Sequence, residues 1–175
     1  TVDIDIQFLI RQELLNAKED FKQIGSAALL MNIDKGEILS LVSLPDYDLN
    51  KRVSISNDMF SNKITKGVYE LGSVFKTFTL AAALENKTIK TNTIFKNLEK
   101  HVYCAGRKIS EHDKLPNDLT AEQILIRSSN IGAIRIAQKV GMEKYKDFLN
   151  LLELFNKINF DLEEIGVPLS FKWGK

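Results

Sequence analysis

The chain has 175 residues, 44% hydrophobic and 27% charged, with 24 Lys and Arg against 23 Asp and Glu for a formal net charge of +1. This composition excludes an intrinsically disordered chain, and 9 Gly with 3 Pro exclude collagen-like or low-complexity sequence. The length suffices to bury a core, and the near-zero charge gives no reason to expect nucleic acid as a partner. No apolar run approaches the roughly 20 residues that span a bilayer, and no basic-then-apolar leader opens the chain. Residue 1 is Thr, which suggests an excised domain, so an absent anchor says little about the natural protein. Cys104 is the only cysteine, so an intramolecular disulfide is impossible.

Asp5 is the expected N-cap of a first helix, in which Ile6, Leu9, Ile10 and Leu14 recur at helical spacing. This helix is expected to run to about Gln23, before Gly25. A β-hairpin follows: residues 26–33 lead into Asp34-Lys35-Gly36, and residues 37–44 return. Its apolar runs are continuous enough to predict that both faces are at least partly covered. Pro45 ends the second strand because it cannot donate to a ladder. Residues 46–71 read as irregular. From Gly72 to Leu84 the pattern is helical and so apolar that the helix belongs in the core. Residues 86–119 read as a polar excursion. Thr120 with Gln123 forms a capping box, Asn130 to Val140 is helical with Gly141 at its end, and another helix covers Glu143 to about Phe155. The tail is loop-like, and neither a repeat nor a linker divides residues 1–175.

The sharpest chemical feature is Gly72-Ser73-Val74-Phe75-Lys76 at the entrance of the buried helix. A serine hydroxyl is a weak nucleophile until a neighbour takes its proton. Lysine at i+3 shares its helical face, and apolar surroundings lower an amine's pKa. Backbone N–H groups at the helix start favour a developing oxyanion. Taken alone, Ser-x-x-Lys is a weak motif, more often a helix start with an incidental lysine. A second feature is Arg127-Ser128-Ser129-Asn130, a break between two helical patterns. Its serine can pass a proton and its amide can hold a substrate peptide group through donor and acceptor together; alone, it reads as an N-cap pair.

The two motifs in this order, 55 positions apart from Ser73 to Ser128, resemble those of the penicillin-binding protein and serine β-lactamase superfamily. Val68 to Phe78 is similar to the nucleophile segment of a penicillin-binding protein transpeptidase domain, with Leu71 where the family usually has Pro. Thr1 to Gln7 is similar to that domain's opening. Gly36 to Ser40, and Ser43 through Asp48 with Asn50, resemble its first hairpin and following loop. Leu119 to Gly132 is similar to its second-motif helices. Ser-Ser-Asn-Ile-Gly resembles the monofunctional, class B enzymes of the division septum more than the Ser-Cys-Asp of elongation-type relatives or the Ser-x-Val of oxacillinases.

The resemblance implies an α/β (α+β) domain with helices packed on an antiparallel sheet, of which these residues are the N-terminal part with one β-hairpin. It implies a peptidoglycan D,D-transpeptidase that acts through a serine acyl-enzyme without cofactor or metal and is the covalent target of β-lactams. In that reading Ser73 is the nucleophile, Lys76 its base, Ser128 the proton relay and Asn130 the binder of the substrate amide. The partners are peptidoglycan stem peptides, β-lactam antibiotics and other cell-division proteins. The place is the extracytoplasmic side of the inner membrane, held by an anchor outside this chain. Three alternatives stay open: a serine β-lactamase, a β-lactam-sensing receptor domain and a non-catalytic scaffold fragment.

His101 and His112 lack metal spacing and read as surface residues. Cys104 reads as an inert thiol, and Asp161, Glu163 and Glu164 as a solvated patch. No Lys-[Ser/Thr]-Gly occurs in the 175 residues: Lys87-Thr88-Ile89 and Lys90-Thr91-Asn92 lack the glycine, and Thr65-Lys66-Gly67 has the wrong order. In the family that segment supplies an oxyanion donor, whose loss costs about 100- to 1,000-fold in rate. A lone hairpin would also expose an edge open to self-association. The polypeptide 1–175 by itself is therefore expected to be inactive or nearly so, and labelling of Ser73 by a fluorescent penicillin at the rate of complete domains would refute this.

Overall fold

The computed structural model describes residues 2–48, 50–51, 57–162 and 164–169, with backbone alone at 57 and 58. They fall into two compact units, residues 1–69 with 156–175, and residues 70–155.

The first unit contains α1 (Ile4–Phe21), β1 (Ser26–Met31), β2 (Ile38–Leu44) and a short α2 (Asn57–Phe60). The cap of α1 is Asp3, two residues before the predicted one. Its backbone is extended, and its carboxylate accepts from Asp5 N and Ile6 N at 3.0 and 3.1 Å. Asp5 instead lies in the first turn, where its charge suits the positive helix end. At the other end Lys22, left-handed at φ 51°, closes the helix just before Gln23.

Strands β1 and β2 pair antiparallel from Ser26 opposite Leu44 to Met31 opposite Ile38. Asn32 Oδ1 accepts from Asp34 N and Lys35 N, and Gly36 at φ 70° supplies the left-handed residue expected of the turn. Coverage is thinner than the apolar runs predict. β2 buries Ser40, Val42 and Leu44, whereas Leu29, Leu30 and Met31 of β1 are exposed. The physical reason is that α1 fastens itself to β2. The Gln7 amide accepts from Leu41 N (2.9 Å) and Ser40 Oγ (2.8 Å) and donates to Leu41 O (2.7 Å). Asp3 N donates to Leu39 O at 2.8 Å. These bonds close the outer edge of β2 at Leu39 and Leu41. Leu49 and residues 52–56 of the irregular stretch, Glu163 of the acidic tail and residues 170–175 lie outside the described residues.

The second unit begins with a 3-10 turn over Gly72–Val74 that runs into α3 (Phe75–Glu85). Then come β3 (Ile94–Phe95), β4 (His101–Cys104), β5 (Arg107–Ser110), β6 (Leu119–Thr120), α4 (Ala121–Ile126), α5 (Asn130–Val140) and α6 (Met142–Leu151). Its core gathers Ala83, Ile89, Leu119, Ala121, Ile124, Ile136 and Val140. Thr79 of α3 and Tyr145 of α6 share a hydrogen bond of 2.8 Å. The capping box is as expected: Thr120 Oγ1 accepts from Gln123 N while Gln123 Oε1 accepts from Thr120 N. Helix α6 ends at Leu151, four residues short of Phe155.

Residues 86–119 depart from the single-hairpin expectation. β3 pairs with β6, and β4 with β5, so the described residues hold three two-stranded sheets. The β4–β5 hairpin turns through Ala105 and Gly106, both left-handed at φ 47° and 77°, as the tightest hairpins require. Strands of two to four residues contribute too few apolar positions for periodicity to register. In β4–β5 only the paired Val102 and Ile109 turn the same apolar side inward.

The crossing of α4 and α5 needs a residue without a side chain at Gly132. A Cβ there would lie 2.6 Å from Ile124 Cγ1 and 2.8 Å from Ser129 Oγ. Ile124 and Ser129 are both buried and have no room to yield. Gly132→Ala is expected to cost about 1–3 kcal/mol, read as a lower thermal midpoint; an unchanged midpoint would contradict this packing.

Candidate active site

Ser73, Lys76, Ser128 and Asn130 all belong to the second unit. Gly72, left-handed at φ 56°, starts the turn that leads into α3; a residue with a Cβ would be strained there. Ser73 stands exposed on that turn, and Lys76 is half-buried on the first turn of α3.

The Lys76 amine meets the Ser-Ser-Asn bend directly. Nζ donates to the Ser128 carbonyl oxygen at 2.5 Å and to Asn130 Oδ1 at 2.6 Å, and lies 3.0 Å from Ser128 Oγ. Ser128 is left-handed at φ 52°, a conformation that costs a non-glycine residue about 1–2 kcal/mol. Ser73 is not among the partners of Nζ. The structure thus brings Lys76, Ser128 and Asn130 into hydrogen-bond contact and sets Ser73 one helical turn from Lys76.

Burial holds the Lys76 amine below the usual lysine range, and the Glu111 charge opposes that shift. The three contacts suit a neutral amine as well as an ammonium ion. A neutral amine has two N–H donors and one lone pair. The carbonyl of Ser128 and Oδ1 of Asn130 can only accept, so they take both donors and leave the lone pair for a hydroxyl. Such an amine can receive a serine proton.

Asn130 is more heavily used than the sequence suggests. Its Oδ1 is occupied by Lys76, and its Nδ2 donates to Ser110 O at 2.9 Å. One amide N–H and the second lone pair of Oδ1 remain for a substrate group.

Glu111 has a place that the sequence reading misses. Oε1 accepts from Ser129 Oγ at 2.6 Å and Ile131 N at 3.0 Å, and Oε2 accepts from Asn130 N at 2.7 Å. The carboxylate therefore covers the N-terminus of α5, where a negative charge is favoured. Its donors lie 18 to 20 residues away in the chain, so no local pattern announces it. Its neighbour His112 is exposed, as is His101, which packs edge-on against Tyr103, and Cys104 is a half-buried free thiol.

The family model for the penicillin-binding protein transpeptidase domain matches residues 26–173. A probable peptidoglycan D,D-transpeptidase FtsI of Caulobacter vibrioides is 33% identical over 175 residues, covering 99% of this chain and 29% of that protein. The crystal structure of a peptidoglycan glycosyltransferase from Burkholderia ambifaria superposes with a TM-score of 0.81 at 28% identity, covering 98% of this chain and 50% of the other. The TP domain of Burkholderia pseudomallei penicillin-binding protein 3 gives 0.79 at 26% identity, over 94% of this chain and 45% of that one. The chain thus spans under a third of the length of the curated relatives it matches. The chain belongs to the penicillin-binding protein transpeptidase domain family.

Proposed function

We propose that residues 1–175 are part of one transpeptidase domain of a peptidoglycan D,D-transpeptidase, and that the chemistry is serine acyl transfer. The observation that carries this reading is the half-buried Lys76 amine, fixed by Ser128 and Asn130 one turn from an exposed serine.

Ser73 Oγ attacks the carbonyl carbon of the D-Ala–D-Ala bond in a stem peptide while its proton passes to Lys76 Nζ. The tetrahedral adduct collapses as the C–N bond breaks. The leaving nitrogen takes the proton back from Lys76 through Ser128 Oγ, and D-alanine departs, leaving an ester on Ser73. An amine of a neighbouring stem attacks that ester, gives up a proton along the same route, and restores the Ser73 hydroxyl as the cross-link forms. Asn130 presents its remaining N–H to the substrate amide. A β-lactam acylates Ser73 by the same first step, because ring opening replaces departure of D-alanine. The Caulobacter relative's name supports a division-type role. With it go a septal location outside the cytoplasmic membrane, an anchor elsewhere in the protein and cell-division proteins as partners. No helix among the described residues is long and apolar enough to cross a membrane. Self-association through the open β1 edge is a property we assign to the isolated polypeptide 1–175.

In the full-length gene product, Ser73→Ala is expected to abolish covalent labelling by a fluorescent penicillin, and Lys76→Ala to slow it by about 100- to 10,000-fold. Labelling that survives Ser73→Ala, seen by intact mass, would overturn the assignment. The pH dependence has a definite sign. Protonated Lys76 cannot accept the serine proton, so acylation rises with pH as the amine becomes neutral. Because burial lowers the Lys76 pKa, that rise is expected below the ordinary lysine value. A stopped-flow profile that climbs only above that value would contradict Lys76 as base.

A further inference from the structure

The second unit places a carboxylate beneath the Ser-Ser-Asn bend that the transfer chemistry does not use. Glu111 follows the last residue of β5, and the two residues at that strand end grip α5 from both sides of Asn130. Ser110 O accepts from the Asn130 side-chain amide, and Glu111 accepts from the Asn130 and Ile131 backbone amides and from the Ser129 hydroxyl. Ser129 Oγ in turn accepts from Gly132 N at 2.9 Å, so four consecutive residues, Ser129 to Gly132, are fastened through one carboxylate and its buried serine.

The geometry points to Glu111 as a positioning residue for acylation: by holding Ser129, Asn130 and Ile131, it fixes the Ser128 carbonyl and the Asn130 Oδ1 that aim the Lys76 amine. This inference rests on the acyl-transfer reading above. It follows from the order of contacts. The two acceptor-only partners of Lys76 belong to Ser128 and Asn130, on either side of Ser129, and each is free to shift if the bend loosens. A helix N-cap is already supplied by Ser129 itself, whose Oγ serves Gly132 N. Glu111 is therefore not required merely to start α5; its reach to Asn130 N and Ile131 N sets where that start lies. The β4–β5 hairpin, within the stretch that reads by sequence as a polar excursion, is then the arm that carries the clamp.

Substituting Gln at Glu111 offers an amide N–H where at least one of the three donors needs an acceptor. The test uses the full-length gene product as wild type, Glu111→Gln and Glu111→Asp. Acylation by a fluorescent penicillin is followed across concentration, to separate noncovalent binding from the limiting acylation rate. Amide hydrogen exchange is measured over residues 127–134. Glu111→Gln is expected to lower the limiting rate by about 10- to 100-fold, the scale of a displacement near 1 Å in a reacting group. Noncovalent binding should hold, exchange at Asn130 and Ile131 should quicken, and Glu111→Asp should recover most of the lost rate. A wild-type limiting rate in Glu111→Gln, a loss confined to binding, or no recovery with Asp would overturn the inference. If Glu111→Gln does not fold, Ser129→Ala removes one donor to the same carboxylate and is expected to give a smaller loss in the limiting rate; no loss would overturn the clamp. If wild-type Ser73 is never labelled, the acyl-transfer reading fails by itself. The exchange arm then decides the clamp: faster exchange in Glu111→Gln upholds it, and unchanged exchange overturns it.

Discussion

The amine of Lys76 and the two oxygens that hold it form the interaction on which the second unit's site depends. A lysine on the first turn of α3 would ordinarily extend into water, because an ammonium ion loses much hydration on burial. Here it lies half-buried because the Ser128 carbonyl and the Asn130 amide oxygen replace that water at 2.5 and 2.6 Å. Desolvation still tells on it, which is why its pKa falls despite a carboxylate nearby. Burial lowers the pKa of the amine while the two oxygens fix its direction.

Holding that geometry has a cost, and the surrounding structure offsets it. The left-handed backbone of Ser128 is unfavourable for a residue with a side chain. It persists because both sides of the bend are tied down. Ser128 N donates to Leu125 O and Ser129 N to Ile124 O, which closes α4. Beyond the bend, Ser129 and Glu111 satisfy the free N–H groups of α5. Gly132 lets α5 approach Ile124 closely enough for all of this to occur. A buried polar group stabilises when it is satisfied, and the buried Ser129 hydroxyl both donates to Glu111 and accepts from Gly132 N.

Family membership narrows the chemistry that such a cluster serves without replacing the physical argument. A serine and a lysine one turn apart occur in many helices. The distinguishing feature is that residues 52 and 54 positions away in the chain deliver two acceptors to the same amine. The first unit contributes in a different way: Gln7 completes β2 as a further strand would, satisfying both backbone groups of Leu41 with one side chain.

Local sequence determined the features that depend on near neighbours. The capping box at Thr120, the glycine of the first hairpin turn, the bounds of α5 and the Ser-x-x-Lys spacing all arise from contacts within about four residues. The linear pattern therefore contains the whole cause. It was less reliable where two nearby candidates competed, as when Asp3 rather than Asp5 capped α1. It failed where an element is too short to show a period, as in β3 to β6. Tertiary structure alone decided which groups converge on Lys76, that the Asn130 oxygen would accept from the lysine, and that Glu111 would lie under α5. Those outcomes depend on how α3, α5 and the β4–β5 hairpin pack. Packing sums many weak contacts between residues distant in the chain, and no single stretch of sequence records that sum.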